Sequence, residues 1–210
     1  MSGYASYDDE LLNKYPDTYK VPLINATPQN FVYYGRFVYD YDKEKVIITP
    51  WPTSGERLLM KGTGCGGGVA EGKFVYWWKD NKLRAINEAV DGDYVTGILP
   101  IDVNPRNRTS VLTREANYHP DGGQVFYPIK SGTPFDLLLA LPGDNVVPED
   151  FTAFYFDGTC GAQIYPNIWH QPVYPIDDKA IFMTKQGKVH ACVGVETLKE
   201  FNKWLEIPLC

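Results

Sequence analysis

The chain has 210 residues, 44% hydrophobic and 22% charged, proportions of a globular protein that buries a core without metal or disulfide staples. Twenty basic against 26 acidic residues leave a formal charge of -6, which argues against a nucleic-acid-binding surface but leaves room for a local basic pocket. No apolar run approaches the roughly 18 residues of a membrane-spanning helix. The polar first ten residues, with Asp8, Asp9 and Glu10, do not resemble a secretory leader, so the expected compartment is the cytoplasm.

In chain order, residues 1–20 are rich in Tyr and Asp and are expected to form an N-terminal arm or short helix, with a single domain over 21–210. Thr27-Pro28 sets an N-cap before a proline at the first helical position, so a short helix is predicted to lead into 31–34. Strands are predicted over 36–41, 45–49, 74–79, 83–90, 94–99, 110–118, 124–130, 135–141, 152–156, 180–184 and 188–195. Turn signals separate most of them, among them Asp80-Asn81, Asp91-Gly92, Pro142-Gly143 and Gln186-Gly187. The glycine-rich stretch 51–73 is expected to be a long loop, either a lid over a pocket mouth or a contact surface. Trp77 and Trp78 alternate across a strand, one toward the core and one toward a pocket or interface. Only 196–205 carries helical spacing, with Leu198, Phe201, Trp204 and Leu205 on one face. A succession of short strands with little helix, 19 glycines, 16 prolines and 14% aromatic residues points to an all-β sandwich, barrel or jelly roll.

The four cysteines, Cys65, Cys160, Cys192 and Cys210, show no paired CxxC spacing and are expected to be free thiols rather than zinc ligands. Gly67 to Lys73 matches G-x-x-x-x-G-K, but a phosphate loop continues with Ser or Thr and opens a helix. Here Phe74 follows and opens a strand-like run, so nucleotide binding is not expected. His190 lies in a late strand-like run, where a hydrogen-bonded structural role is expected.

The chemistry concentrates in two motifs. Asn117-x-His119, a Pro-Asp-Gly-Gly turn and then Gln124, with Gly132 later, have the spacing of the first motif of metal-binding cupins. Strand alternation there aims the ligands into a barrel. Gly161, Pro166 and His170 approximate the second cupin motif, one residue short. Asn117 and Gln124 stand where cupins carry stronger ligands, so no bound metal and no cofactor are expected.

His119-Pro120-x-x-x-Gln124-x-Phe126-x-Pro128, followed by Asn167-x-Trp169-His170-x-Pro172, resembles the ureidoglycolate lyase family. The likeness is clear over about 110–185. It is thinner from 19 to 90, where Val21-Pro22-Leu23, Phe31 and Gly35 look like the family's opening. The resemblance implies a cupin-like β-barrel, a homodimer, and cleavage of ureidoglycolate into glyoxylate and urea. Three positions depart from the family's pattern: Asn117 stands for Glu, Tyr118 for Arg, and Gln171 for a second His. Glu115, two residues before Asn117, shares its strand face.

That reaction is an elimination, and imidazoles suit its proton transfers because their unperturbed pKa lies near neutrality. His170 and His119 are the candidate catalytic pair. Gln124, Asn117, Asn167, Tyr165, Gln171 and Arg108 are the candidate substrate-binding residues, Arg108 being one of four arginines (with Arg84, Arg106 and Arg114) available for a substrate carboxylate. Tyr118 should point away from His119. The expected partner is a small molecule, with no nucleic acid and no membrane. Two other readings use the same barrel: a cyclase, isomerase or other lyase of specialised metabolism with an aromatic-lined pocket, or a non-catalytic ligand-binding cupin.

Overall fold

The computed structural model describes residues 9–50, 52, 55–61, 63–64, 67–188 and 191–209. Its strands form two sheets. The larger has ten strands in the order Thr18–Lys20, Trp204–Pro208, Ser110–Thr113, Gly92–Ile98, Lys82–Asn87, Val69–Lys79, Lys179–Gly187, Gln124–Pro128, Gly161–Ile164 and Gly35–Val38. The smaller runs Val193–Glu196, Glu115–Tyr118, Trp169–His170, Phe135–Ala140, Thr152–Phe156 and Leu23–Asn25, with Tyr174–Pro175 also pairing Phe135–Ala140. This is the expected all-β, cupin-like architecture, built as two facing sheets.

Local chemistry sets the hairpins. Asp80 and Asn81 both take positive φ, 52° and 58°, the conformation of a type I′ turn whose twist matches its flanking strands. They join Val69–Lys79 to Lys82–Asn87. Val69–Lys79 also pairs with Lys179–Gly187 from Lys179 opposite Trp77 to Gly187 opposite Val69. The glycine-rich stretch therefore enters a strand at Val69, earlier than expected, and Gln186-Gly187 ends that strand rather than making a free turn. The short helix Pro28–Phe31 forms as predicted, with Thr27 accepting from the Asn30 amide and Asn30 returning the bond.

The aromatic residues close the space between the sheets. Phe135 and Phe156 of the smaller sheet stack at 4.9 Å, and Phe182 of the larger sheet meets Phe135 edge-on at 5.0 Å. Tyr76 meets Phe182 edge-on in turn.

Three expectations are corrected. The helix predicted over 196–205 stops at Phe201, because Asn202 adopts the left-handed conformation and its N–H bonds back to Leu198 and Thr197. Trp204–Pro208 is instead a strand between Ser110–Thr113 and Thr18–Lys20. The run 110–118 is two strands in different sheets, divided at Arg114. Residues 45–49 contribute only one bridge, Ile48 to Gly122, rather than a strand. The expected N-terminal arm is packed down from residue 9 onward: Leu11, Leu12 and Tyr15 cover Ile98, Leu112, Leu198 and Trp204.

Asp136 sits fully buried in Phe135–Ala140 with no hydrogen-bond partner among the described residues for either carboxylate oxygen. Burial pushes its carboxyl up to about 8. The folded protein then holds a proton that the unfolded chain releases, so stability is greatest below the ordinary carboxylate range and falls as pH rises toward 8. Asp136→Asn, which mimics the protonated carboxyl, should raise the melting temperature at pH 8 by more than at pH 4. Equal shifts at both pH values in thermal unfolding would contradict this assignment.

Candidate active site

The site lies where the chain changes sheets. After Arg114 the chain joins the smaller sheet, and strand alternation aims Glu115, Asn117 and His119 into one cavity between the sheets. Tyr118 points the other way, as expected, and meets the Trp169 ring edge-on at 4.6 Å. His170 arrives on the next strand, paired with Asn117 on one side and Leu139 on the other. The turn before it is held by the Asn167 N–H, which donates to the His119 carbonyl at 3.1 Å, with Asn167 itself at φ 65°. The two imidazoles lie 4.9 Å apart, centre to centre.

Gln124 faces them from the larger sheet. Its Oε1 is 3.3 Å from His170 Nε2. The remaining lining includes Asn87, Tyr94, Thr96 and Phe74 from the larger sheet and Gln171 and Pro172 beside His170. The free volume is small, about 30 Å³, and polar and apolar groups share the wall about equally.

Backbone carbonyls orient both rings. His119 Nδ1 lies 2.9 Å from the Ala191 carbonyl and His170 Nδ1 lies 2.8 Å from the Ile168 carbonyl. Burial holds the His170 imidazole down, to about 4, against the bond to Ile168 that favours its charged form. The ring is therefore neutral at pH 7. Burial also pushes Glu115 up to about 7; Arg114 and Lys199 oppose this, and Glu196 adds to it. Cys192, behind the cavity, is raised to about 12 by burial and by the carboxylates Glu115 and Asp121, so it remains a thiol. Cys160 and Cys192 are free, as expected; Cys65, Cys210 and His190 lie outside the described residues.

Of the residues proposed from sequence, His119, His170, Gln124, Asn117 and Gln171 come together in the cavity. The Gln171 amide is spent on the Glu115 carbonyl at 2.5 Å. Tyr165 and Asn167 do not line the cavity; they build the turn before His170, and Tyr165 is exposed. Arg108 is elsewhere: it pairs with Asp178 at 2.6 Å and lies over the Trp78 ring in a separate groove that both Trp77 and Trp78 line. A carboxylate and an aromatic face already neutralise it there, and among the described residues no Arg or Lys lines the histidine cavity.

Sequence reasoning missed Asn87 and Gln186. Asn87 carries a signal, being a polar residue on the inward alternation of Leu83 and Ala85. Gln186 was hidden by the turn-like Gln-Gly pair. Arg57 was also missed. It bridges Glu200 through two bonds at 3.1 and 2.8 Å, donates to the Asp144 carbonyl, and lies 5.5 Å from the Trp169 ring centre. Met60 N–H bonds the Cys192 carbonyl, so the described part of 55–64 lies along the strand Val193–Glu196 next to the site.

Among the described residues no three His, Cys, Asp or Glu side chains lie close enough together to hold a metal ion, and beside the histidine pair the cavity offers the amides of Asn117 and Gln124 and the Glu115 carboxyl.

The two-sheet fold with a histidine-and-amide cavity between its layers defines a cupin-like protein. Within that class, residues 103–201 match the ureidoglycolate lyase family, a segment that contains both histidines, so the chain is related to that family through this segment. Relatives agree. The chain is 37% identical over 114 residues to a ureidoglycolate lyase of Pseudomonas paraeruginosa, covering 53% of this chain and 66% of the relative. It is 34% identical over 76 residues to one from Azotobacter vinelandii (35% and 45%). It is 29% identical over 114 residues to one from Stutzerimonas stutzeri (53% and 65%). The chain thus spans between about half and two-thirds of the length of these relatives. No helix among the described residues is long and apolar enough to cross a membrane.

Glu115 should titrate near neutrality. Carboxyl ¹³C shifts of glutamate-labelled protein should show one signal with a midpoint near 7 that disappears in Glu115→Gln. A Glu115 midpoint near 4.5 would contradict the environment described.

Proposed function

We propose that this protein is a lyase of the ureidoglycolate type, cleaving a small, polar, carboxylate-bearing substrate by elimination. The carrying observation is the pair of buried imidazoles, 4.9 Å apart, with Glu115 in the same cavity and inside the segment that matches the family.

The chemistry follows from the protonation states. Neutral His170 takes the proton of the substrate hydroxyl, and the electrons of that O–H bond form the new carbonyl. The carbon–nitrogen bond breaks, and the leaving urea nitrogen collects a proton from Glu115 or His119. A carboxyl near 7 suits that donation because a large fraction is protonated at working pH. With no Arg or Lys among the described residues lining the cavity, the substrate carboxylate is held by neutral donors, foremost the Asn117 amide and the His119 ring. The small cavity favours a small substrate over a bulky aromatic one; Phe74 and Tyr94 are the aromatic members of its wall. The proposal includes a homodimer, as the family resemblance implies, acting in the cytoplasm without a metal.

The test is incubation of the pure protein with racemic ureidoglycolate, following glyoxylate and urea with and without a chelator. Release should exceed the spontaneous rate and persist with the chelator. His170→Ala, checked for folding, should lose about 100-fold or more, the usual share of general acid–base catalysis. No release from the folded unaltered protein would overturn the substrate. Full activity in His170→Ala would overturn the role of that ring.

A further inference from the structure

The orientation of the Gln124 amide can be traced from an unambiguous donor. The backbone N–H of Ala89 bonds Asn87 Oδ1 at 3.1 Å, so the Asn87 amide nitrogen faces the other way. That nitrogen donates to Gln186 Oε1 at 2.7 Å. Gln186 Oε1 therefore acts as an acceptor, and it receives a second bond from Gln124 Nε2 at 2.9 Å. Gln124 is left with its carbonyl toward His170 Nε2. Asn87 and Gln186 are each 1% exposed and Gln124 3%, so water does not compete along this chain.

The direction matters for the proton. A Gln124 amide turned the other way would donate to the Nε2 lone pair and hold His170 neutral. In the observed direction the ring has a carbonyl at each nitrogen, Ile168 at Nδ1 and Gln124 at Nε2. Such a site opposes the burial cost of a protonated ring.

We infer that Asn87 and Gln186 are positioning residues: they hold the Gln124 carbonyl toward His170, so that the ring finds an acceptor in place at both nitrogens when it takes a proton. The catalytic meaning of this relay rests on His170 as the base of the proposed lyase; its effect on the ring does not. Both act on the ring through Gln124. The other ionisable groups that share the cavity are His119, Glu115 and Tyr94, and all stay intact in the test. Lys185, between Thr184 and Gln186, points out of the cavity to the carbonyls of Tyr41 and Glu44.

The experiment is ¹⁵N NMR of histidine-labelled protein, with His170 assigned by its own substitution. The unaltered protein is compared with Gln186→Leu, Asn87→Ala and Gln186→Glu, the last keeping an acceptor for both amides. Gln186→Leu and Asn87→Ala should leave His170 only in the Nδ1–H tautomer at pH 7 and lower its titration midpoint by about one unit, the scale of one hydrogen bond. Gln186→Glu should keep the tautomer balance and the midpoint, or raise the midpoint. If Gln186→Leu does not fold, Asn87→Ala carries the comparison. An unchanged His170 tautomer and midpoint in the variants that lose the relay would overturn the inference, whatever the protein does with ureidoglycolate. Shifted titration in a protein that releases no urea would instead leave the relay standing and remove the substrate assignment alone.

Discussion

A polar group enclosed between two apolar sheets can bond only to other protein groups, and this constraint organises the whole site. Elsewhere between the sheets, rings such as Phe135, Phe156 and Phe182 pack against one another and exclude water. In the cavity, each imidazole is tied through Nδ1 to a backbone carbonyl, and Gln124 is tied through Gln186 and Asn87 to a backbone amide. The side chains that could do chemistry are thereby fixed at their far ends and directed at one another. An unsatisfied amide here would cost about 1–3 kcal/mol, enough to disfavour the reversed arrangement.

The same exclusion of water separates the protonation states of the two acid–base groups. Burial lowers an imidazole and raises a carboxyl, and it does both within one cavity: His170 stays neutral while Glu115 moves toward neutrality. In the proposed mechanism these two groups serve as base and acid near pH 7. This offers an account of how the chain carries Asn117 where the family pattern it resembles has Glu. The carboxyl is displaced two residues along the same strand face, still inside the cavity. The Gln171 amide ties the His170 strand to the Glu115 carbonyl.

The architecture explains why such a site needs both sheets. Arg114 marks the point where one continuous run of buried residues leaves the larger sheet for the smaller. Glu115, Asn117 and His119 consequently look across at Gln124 instead of lying beside it. Arg57, clamped to Glu200 and set over Trp169, holds the outside of the same strand group, so the segment around 55–61 supports the site from behind.

Alternation and turn chemistry made much of this legible. The Asp80-Asn81 hairpin, the Thr27 cap and the period-two placement of Asn117 and His119 are local, and local rules predict them. The C-terminal strand misread as helix shows the limit: Leu198, Phe201, Trp204 and Leu205 have helical spacing, yet a left-handed Asn202 and two waiting strand edges decide otherwise. The sequence by itself determined an all-β chain with two histidines at the heart of spaced motifs, because side-chain period and turn residues act over a few neighbours. Tertiary structure alone decided that Arg108 is engaged elsewhere, that Glu115 shares the cavity, and that Asn87 and Gln186 reach the histidine through Gln124. Those outcomes depend on which strands face one another and on the loss of water between them.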